Sequence, residues 1–130
     1  MSKHPDLNAH WTEEGHWRRQ AVNIGVAVAV DDGLIVPVVR NADQLSLHGL
    51  NMAINDVAER SRSNRLRMDD ITGGTFTVDN TGWTGSILTM PIINVPEVAI
   101  VTMEAIVKRP VVIEGPAGAS IAIRHMFFFL

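Results

Sequence analysis

Hydrophobic and polar positions divide the 130-residue chain into a series of short elements. From Val22 to Val30 small and branched side chains alternate, the period-two pattern of a strand. Asp31-Asp32-Gly33 forms a turn and Leu34 to Val39 a second strand, so the two predict a hairpin. Pro37 has no N–H to give a ladder, which puts its strand at a sheet edge or bulges it there. The period then changes. Leu47, Leu50, Ile54, Val57 and Ala58 fall at spacings of three, four, three and one, a single apolar stripe on an amphipathic helix. Ser46 is placed to cap that helix, although Gly49 sits where a capping box would need Glu or Gln. Arg60 and Arg62 suit the negative end of its dipole.

Asp69 to Gly74 is turn-like, and Thr75-Phe76-Thr77-Val78 is a short strand. A polar loop follows, Asp79-Asn80-Thr81-Gly82-Trp83-Thr84-Gly85. Two strands are expected from Val98 to Met103 and Ala105 to Ile113, a turn at Glu114 to Gly118, and a last strand from Ser120 to Leu130. This order defines an α+β domain with a mixed or antiparallel sheet. Its final run, Met126-Phe127-Phe128-Phe129-Leu130, implies either a deeply buried strand or a chain that stops inside a larger domain. The first twenty residues are polar and aromatic and read as a surface segment.

Composition narrows the class. With 46% hydrophobic and 19% charged residues the chain suits one globular domain and is too apolar for disorder. A formal charge of −3 argues against a nucleic-acid partner. The absence of cysteine excludes disulfides, thiolate metal sites and a cysteine nucleophile. Asn80 to Pro96 is the longest stretch without a charged residue, but it contains Asn, Thr, Gly and Pro and is too polar to span a bilayer. Met1 to Asp6 is not followed by an apolar segment, so neither a membrane span nor a secretory signal is expected and the location expected is cytoplasmic.

Most motif chemistry is missing. Gly115 to Ser120 lacks the Gly-Lys-Ser/Thr ending of a phosphate loop, and neither a dinucleotide fingerprint nor a Gly-x-Ser-x-Gly elbow occurs. His4, His10 and His16 are six residues apart, whereas metal ligands on one helix face are three or four apart, so no metal is expected. Glu13-Glu14, Asp31-Asp32 and Asp69-Asp70 are solvated turn residues. Arg60, Arg62, Arg65 and Arg67 make either a solvated helix end or a phosphate site. His48 reads as a surface or boundary residue and His125 as a satisfied sheet histidine. The loop Asp79 to Gly85 remains, a Gly-bearing polar loop after a strand, where binding groups often sit. Trp83 within it would cover a channel or pack the loop.

Five ordered segments resemble one family. They are Val22-Asn23-Ile24-Gly25-Val26-Ala27-Val28-Ala29-Val30 with Gly33 to Asp43; Gly73-Gly74-Thr75-Phe76-Thr77-Val78; Pro91-Ile92-Ile93-Asn94 with Pro96-Glu97-Val98-Ala99-Ile100; Lys108-Arg109-Pro110-Val111-Val112; and His4-Pro5-Asp6-Leu7-Asn8. Together they resemble the catalytic domain of the dihydrolipoamide acyltransferases, core subunits of 2-oxoacid dehydrogenase complexes, and residues 1–130 look like part of that domain. The resemblance implies a chloramphenicol-acetyltransferase-like fold, a mixed sheet with helices packed on it. It implies a homotrimer that builds a larger core, with lipoyl domains and the other subunits of the complex as partners. The reaction implied is acyl transfer between a lipoyl thiol, carried on a separate domain, and coenzyme A as substrate. A histidine would serve as general base and a hydroxyl donor would stabilise the oxyanion. The Asp-Asn-Thr-Gly form of the loop is nearer the branched-chain than the pyruvate type.

Three departures stand against the family pattern. The His-x-x-x-Asp-Gly motif does not occur in these 130 residues, and His125, followed by Met-Phe-Phe-Phe, cannot replace it. The family's preceding catalytic segment, with lipoyl and subunit-binding domains, is likewise not in the sequence. Asp79 stands where the family usually has Ser or Thr. An ionised Asp cannot donate to an oxyanion and would repel it. A protonated Asp79, Asn80, Thr81 or a backbone N–H must then donate. Asn80 is preferred, because an amide donates without a pKa shift, while Asp79 alone could equally cap a turn. Three roles remain open: acyltransferase component, non-catalytic assembly subunit, or a truncated fragment unable to fold alone.

Overall fold

The computed structural model describes Met1 and residues 3–130; Ser2, read above within the polar N-terminal segment, lies outside the described residues. The chain forms two compact units. The first comprises Met1–Asp79 and Pro91–Val101, the second Asn80–Met90 and Thr102–Leu130.

In the first unit the N-terminal segment is not irregular surface. A 3-10 turn at Pro5–Leu7 leads into the hairpin β1 (Ala9–Thr12) and β2 (Gly15–Arg18), in which Trp11 opposes His16 and His10 opposes Trp17. Alternation of aromatic and polar residues over only four positions per strand gives a weak periodic signal, so the pattern alone does not show this hairpin. Asn8 and Ala9 are buried, and the Asn8 amide ties the segment down by donating to the carbonyls of Arg19 (2.7 Å) and Ala21 (3.1 Å).

The predicted strand Val22 to Val30 is two strands, β3 (Ile24–Val26) and β4 (Val28–Val30), interrupted at Ala27. Its partner is likewise divided into β5 (Gly33–Ile35) and β6 (Val38–Val39), on either side of Val36 and Pro37. β4 pairs with β5 antiparallel across Asp31-Asp32, while β3 pairs with β6 in a different sheet. Proline supplies the reason: Pro37 cannot donate, yet its carbonyl accepts from Val26 N–H at 2.9 Å, so the hairpin bends there without abandoning its pairing. β6 is an edge strand, as Pro37 required.

The helix α1 (Leu47–Arg62) starts where Ser46 predicts, with Gly49 N–H donating to Ser46 Oγ at 3.1 Å. Its inward face differs from the stripe read above. Leu50, Ala53 and Val57 pack toward the core and Ser61 is buried, whereas Leu47 is 87% exposed. Spacings of three, four and four describe that face better than one anchored on Leu47. The core brings Val57 against Val39 and Ala42, with Ile24 and Val26 beside them. Burying one such side chain contributes about 1.5–3 kcal/mol. At the end of the helix Arg60 pairs with Asp56 (2.9 Å) and Asp70 (2.7 Å), and Arg65 with Glu59 (3.0 Å), so much of the basic cluster is neutralised by its own neighbours.

β7 (Phe76–Asn80) follows a 3-10 turn at Met68–Asp70 and runs two residues further than predicted. It pairs parallel with β3, with Gly25 opposite Thr77 and Val26 opposite Val78. With β8 (Ile100–Met103) the strand order is β6-β3-β7-β8, the expected mixed sheet, with one α-helix among the described residues.

In the second unit β9 (Val107–Gly115) and β10 (Gly118–Met126) form a nine-residue antiparallel hairpin closed at Pro116-Ala117. Gly118 has φ +104, a conformation glycine adopts without strain. Phe128 and Leu130 then pair by backbone with Glu104 and Thr102. The apolar run ending at Leu130 is not deeply buried: Phe127, Phe128, Phe129 and Leu130 are all exposed. His125, opposite Lys108, is exposed on a two-stranded hairpin rather than satisfied inside a sheet.

Candidate active site

Two buried carboxylates organise the segments that carry the loop, one in each unit. In the first unit Glu97 is 5% exposed. Its Oε2 accepts from Thr77 Oγ1 at 2.6 Å, which fixes the middle of β7. Two glycines make room for it. A Cβ on Gly74 would lie 2.6 Å from Glu97 Oε1, and one on Gly25 would lie 2.9 Å from Thr77 Oγ1. His10 Nε2 lies 2.8 Å from the Gly74 carbonyl, which can only accept, so that nitrogen carries the proton and donates. Burial pushes the Glu97 carboxyl above its ordinary range, opposed by the Thr77 hydrogen bond, the nearby His10 charge and a hydrogen bond from Asn94.

In the second unit Glu104 is 3% exposed. It accepts Thr89 N–H at 3.0 Å and Thr89 Oγ1 at 2.5 Å on Oε1, and Thr81 Oγ1 at 3.0 Å on Oε2. These bonds favour the charged form. The Thr89 hydroxyl is the largest influence holding this carboxyl below its ordinary range; burial opposes it, and Thr81, Thr89 N–H and Ser86 support it. Glu97 lies within a segment that carries the family resemblance, whereas Glu104 falls in none of those segments. The signal available was a lone carboxylate between apolar neighbours, at Met103-Glu104-Ala105 and Pro96-Glu97-Val98.

The three candidate donors fall in different surroundings. Asp79 is half-buried in β7, not in a loop, and strand alternation places it on the same face as Thr77. Asn80, also in β7, therefore points to the opposite face, so the two cannot serve one site from the same side. Asn80 is exposed, and its Oδ1 accepts Gly82 N–H at 3.1 Å. That bond fixes the amide's orientation and leaves its NH2 as the donating end. The Thr81 hydroxyl is turned inward onto Glu104, and its carbonyl accepts Thr84 N–H at 3.0 Å and Thr84 Oγ1 at 2.7 Å. Gly82–Thr84 is a 3-10 turn, and Gly85 closes it at φ +83.

Beside Asn80 lies a groove of about 470 Å³, whose walls include Trp83, Met103, Glu104, Ile106 and Phe127. Trp83 is 74% exposed and forms part of the wall. The chemistry on hand is a fixed amide donor at the edge of a largely apolar groove. None of the five histidines lines it. Among the described residues no group of three His, Cys, Asp or Glu side chains is placed to hold a metal, and no helix is long and apolar enough to cross a membrane.

A mixed sheet with one packed helix among the described residues defines an α+β domain. The chain belongs to the 2-oxoacid dehydrogenases acyltransferase (catalytic domain) family, whose match covers residues 1–128. It is 42% identical over 126 residues to the lipoamide acyltransferase component of the branched-chain alpha-keto acid dehydrogenase complex of Bacillus subtilis, covering 97% of this chain and 29% of that protein. It also matches the crystal structure of a probable dihydrolipoamide acetyltransferase from Listeria monocytogenes, with a TM-score of 0.87, 41% identity, and 95% of this chain aligned to 51% of that one. The cubic core of a pyruvate dehydrogenase multienzyme complex gives a TM-score of 0.82 at 35% identity, over 93% of this chain and 50% of that one. The chain thus spans under a third of the Bacillus subtilis relative and about half of each solved chain.

Proposed function

We propose that this chain forms part of the catalytic core of a 2-oxoacid dehydrogenase complex and supplies the oxyanion-donor side of its acyl-transfer site. The substrates are coenzyme A and a dihydrolipoyl group carried on a separate domain. One thiol attacks the thioester carbonyl of the other partner. A C–S bond forms, the thiol proton passes to a general base, and the carbonyl oxygen becomes an oxyanion. Collapse breaks the original C–S bond, and the proton goes to the departing thiolate. The observation that supports this reading best is the Asn80 amide, whose Oδ1 accepts Gly82 N–H and which lines the groove. A neutral donor fixed before the reaction stabilises developing charge without reorganising. Asp79 and Thr81 suit that role less well, one by its charge when ionised and the other by its bond to Glu104. None of the five histidines lines the groove, so this reading takes the general base from outside the groove's own lining.

The test is acyl transfer by the full-length protein, from acetyl- or isobutyryl-coenzyme A to dihydrolipoamide. The expected product is S-acyl dihydrolipoamide, and the ratio of the two rates reports the acyl group preferred. Hydrolysis alone, or no transfer to the dithiol, contradicts the reading.

A second reading, a role in assembly, complements the first. The hairpin β9–β10 exposes Ile121 opposite Val112 and Ile123 opposite Pro110, with Ile121 79% exposed. A two-stranded hairpin with so much apolar surface in water is marginal by itself. Further copies of the chain, in a trimer and then a larger core, are the covering that the cubic-core likeness favours.

A further inference from the structure

The loop after β7 should be loose by ordinary criteria. Trp83, Ile87, Leu88 and Met90 are all exposed, so hydrophobic burial does little to hold residues 81–89. Yet the loop is tied at several points to the end of β8. Thr81 N–H donates to the Met103 carbonyl at 3.1 Å, and Ala105 N–H donates to the Ser86 carbonyl at 2.8 Å. Thr81 Oγ1 also lies 3.3 Å from Thr102 Oγ1 and from Thr89 Oγ1 and 3.4 Å from the Met103 carbonyl, but the shortest side-chain ties converge on one carboxylate. Glu104 receives Thr81 at the start of the loop on one oxygen and Thr89 at its end, twice, on the other. Gly82 lies so close beneath that a Cβ there would stand 2.7 Å from the Glu104 carbonyl oxygen.

We infer that Glu104 is a positioning residue: its carboxylate clamps both ends of the 81–89 loop to the end of β8 and thereby holds the Asn80 amide at its working orientation. The inference rests on the acyl-transfer reading above. The coupling runs through few atoms. Asn80 is oriented by Gly82 N–H, Gly82 follows Thr81 directly, and Thr81 is held by Glu104. A carboxylate suits the task because it only accepts, and its partners here are donors: the Thr81 and Thr89 hydroxyls and the Thr89 N–H, with Ser86 in support. Charge strengthens each bond. Release of the clamp would let the amide swing, and misplacement by about 1 Å is enough to cost about a hundredfold in rate.

Glu104→Ala and Glu104→Gln in the full-length protein test this, with two readouts. Hydrogen exchange of the segment 80–90 should rise about tenfold in Glu104→Ala and less in Glu104→Gln, which keeps one acceptor, while β3 exchanges as in the wild type. The kcat for acyl transfer should fall ten- to hundredfold, roughly, in Glu104→Ala, with little change in KM, and partial activity should survive in Glu104→Gln. Wild-type protection of 80–90, taken relative to intrinsic exchange at each pH, should also fall at acid pH, and Glu104→Gln should not show that fall. Only neutral groups bond to the carboxylate, so the transition belongs to Glu104. Should Glu104→Ala fail to fold, Glu104→Gln carries both readouts. Unchanged exchange in 80–90 overturns the clamp. So does raised exchange with unchanged kcat, in a protein where Asn80→Ala lowers kcat. If Asn80→Ala leaves kcat untouched, the assignment of Asn80 as the oxyanion donor fails instead, and the exchange result still decides whether Glu104 orders the loop.

Discussion

Glu97 and Glu104 are both almost wholly buried, yet their surroundings push them in opposite directions. Glu97 has burial as its dominant influence and a carboxyl raised above its ordinary value of 4.5. Its protonated form is the better fit to the folded state. Stability from this group is therefore full below 4.5 and declines as pH rises through the folded value. Glu104 has donors as its dominant influence and a lowered carboxyl, so its contribution is present above 4.5 and is lost as pH falls through the folded value. Denaturation midpoints at a series of pH values check both. The Glu97→Gln protein should lose stability less than wild type as pH rises from 4.5, and Glu104→Gln should lose less as pH falls below it. Gly74 offers a steric check at the same scale. A Cβ 2.6 Å from Glu97 Oε1 has no room, so Gly74→Ala should cost about 1–3 kcal/mol in urea denaturation. A cost below a few tenths would mean that the carboxylate moves aside freely.

Elements were legible to the extent that local chemistry alone decides them. Ser46 announced the helix start because a cap is a bond between near neighbours, and Ser46→Ala should cost about 1 kcal/mol by thermal or chemical denaturation. The turn at Asp31-Asp32 and the bend at Pro37 were readable for the same reason. Tertiary contacts decided the rest. Nothing local reveals that Ala27 ends β3, since the break exists because β3 and β4 join different sheets. The inward face of α1 shifted away from Leu47 because Val39 and Ala42 meet Val57, a fact of packing rather than of period. β7 outran its expected end because Asp79 and Asn80 have poor strand propensity. The candidate loop was found by its polarity, but the glutamate that organises it was not, because Glu104 acts on residues fifteen and twenty-three positions earlier in the chain.

At the scale of the molecule, the ordered segments carrying the family resemblance match the family over residues 1–128. The same sequence lacks the His-x-x-x-Asp-Gly motif, so the 130-residue chain alone should show no acyl transfer above background. A measurable rate would place the base among its own five histidines. The apolar hairpin makes a separate claim. Replacing both Ile121 and Ile123 by Lys should leave the fold intact and dissociate a trimer, as read by sedimentation velocity, because charges on that face oppose burial against a neighbouring copy. Sedimentation unchanged by the double substitution would locate the assembly surface elsewhere.

The central claim is that an amide at Asn80, and not a hydroxyl, meets the oxyanion. Its most direct test is kcat for acyl transfer in the full-length protein carrying Asn80→Ala. Loss of a fixed oxyanion donor predicts a fall of roughly a hundred- to a thousandfold, with KM for both thiols near wild type. A kcat equal to wild type would contradict the assignment.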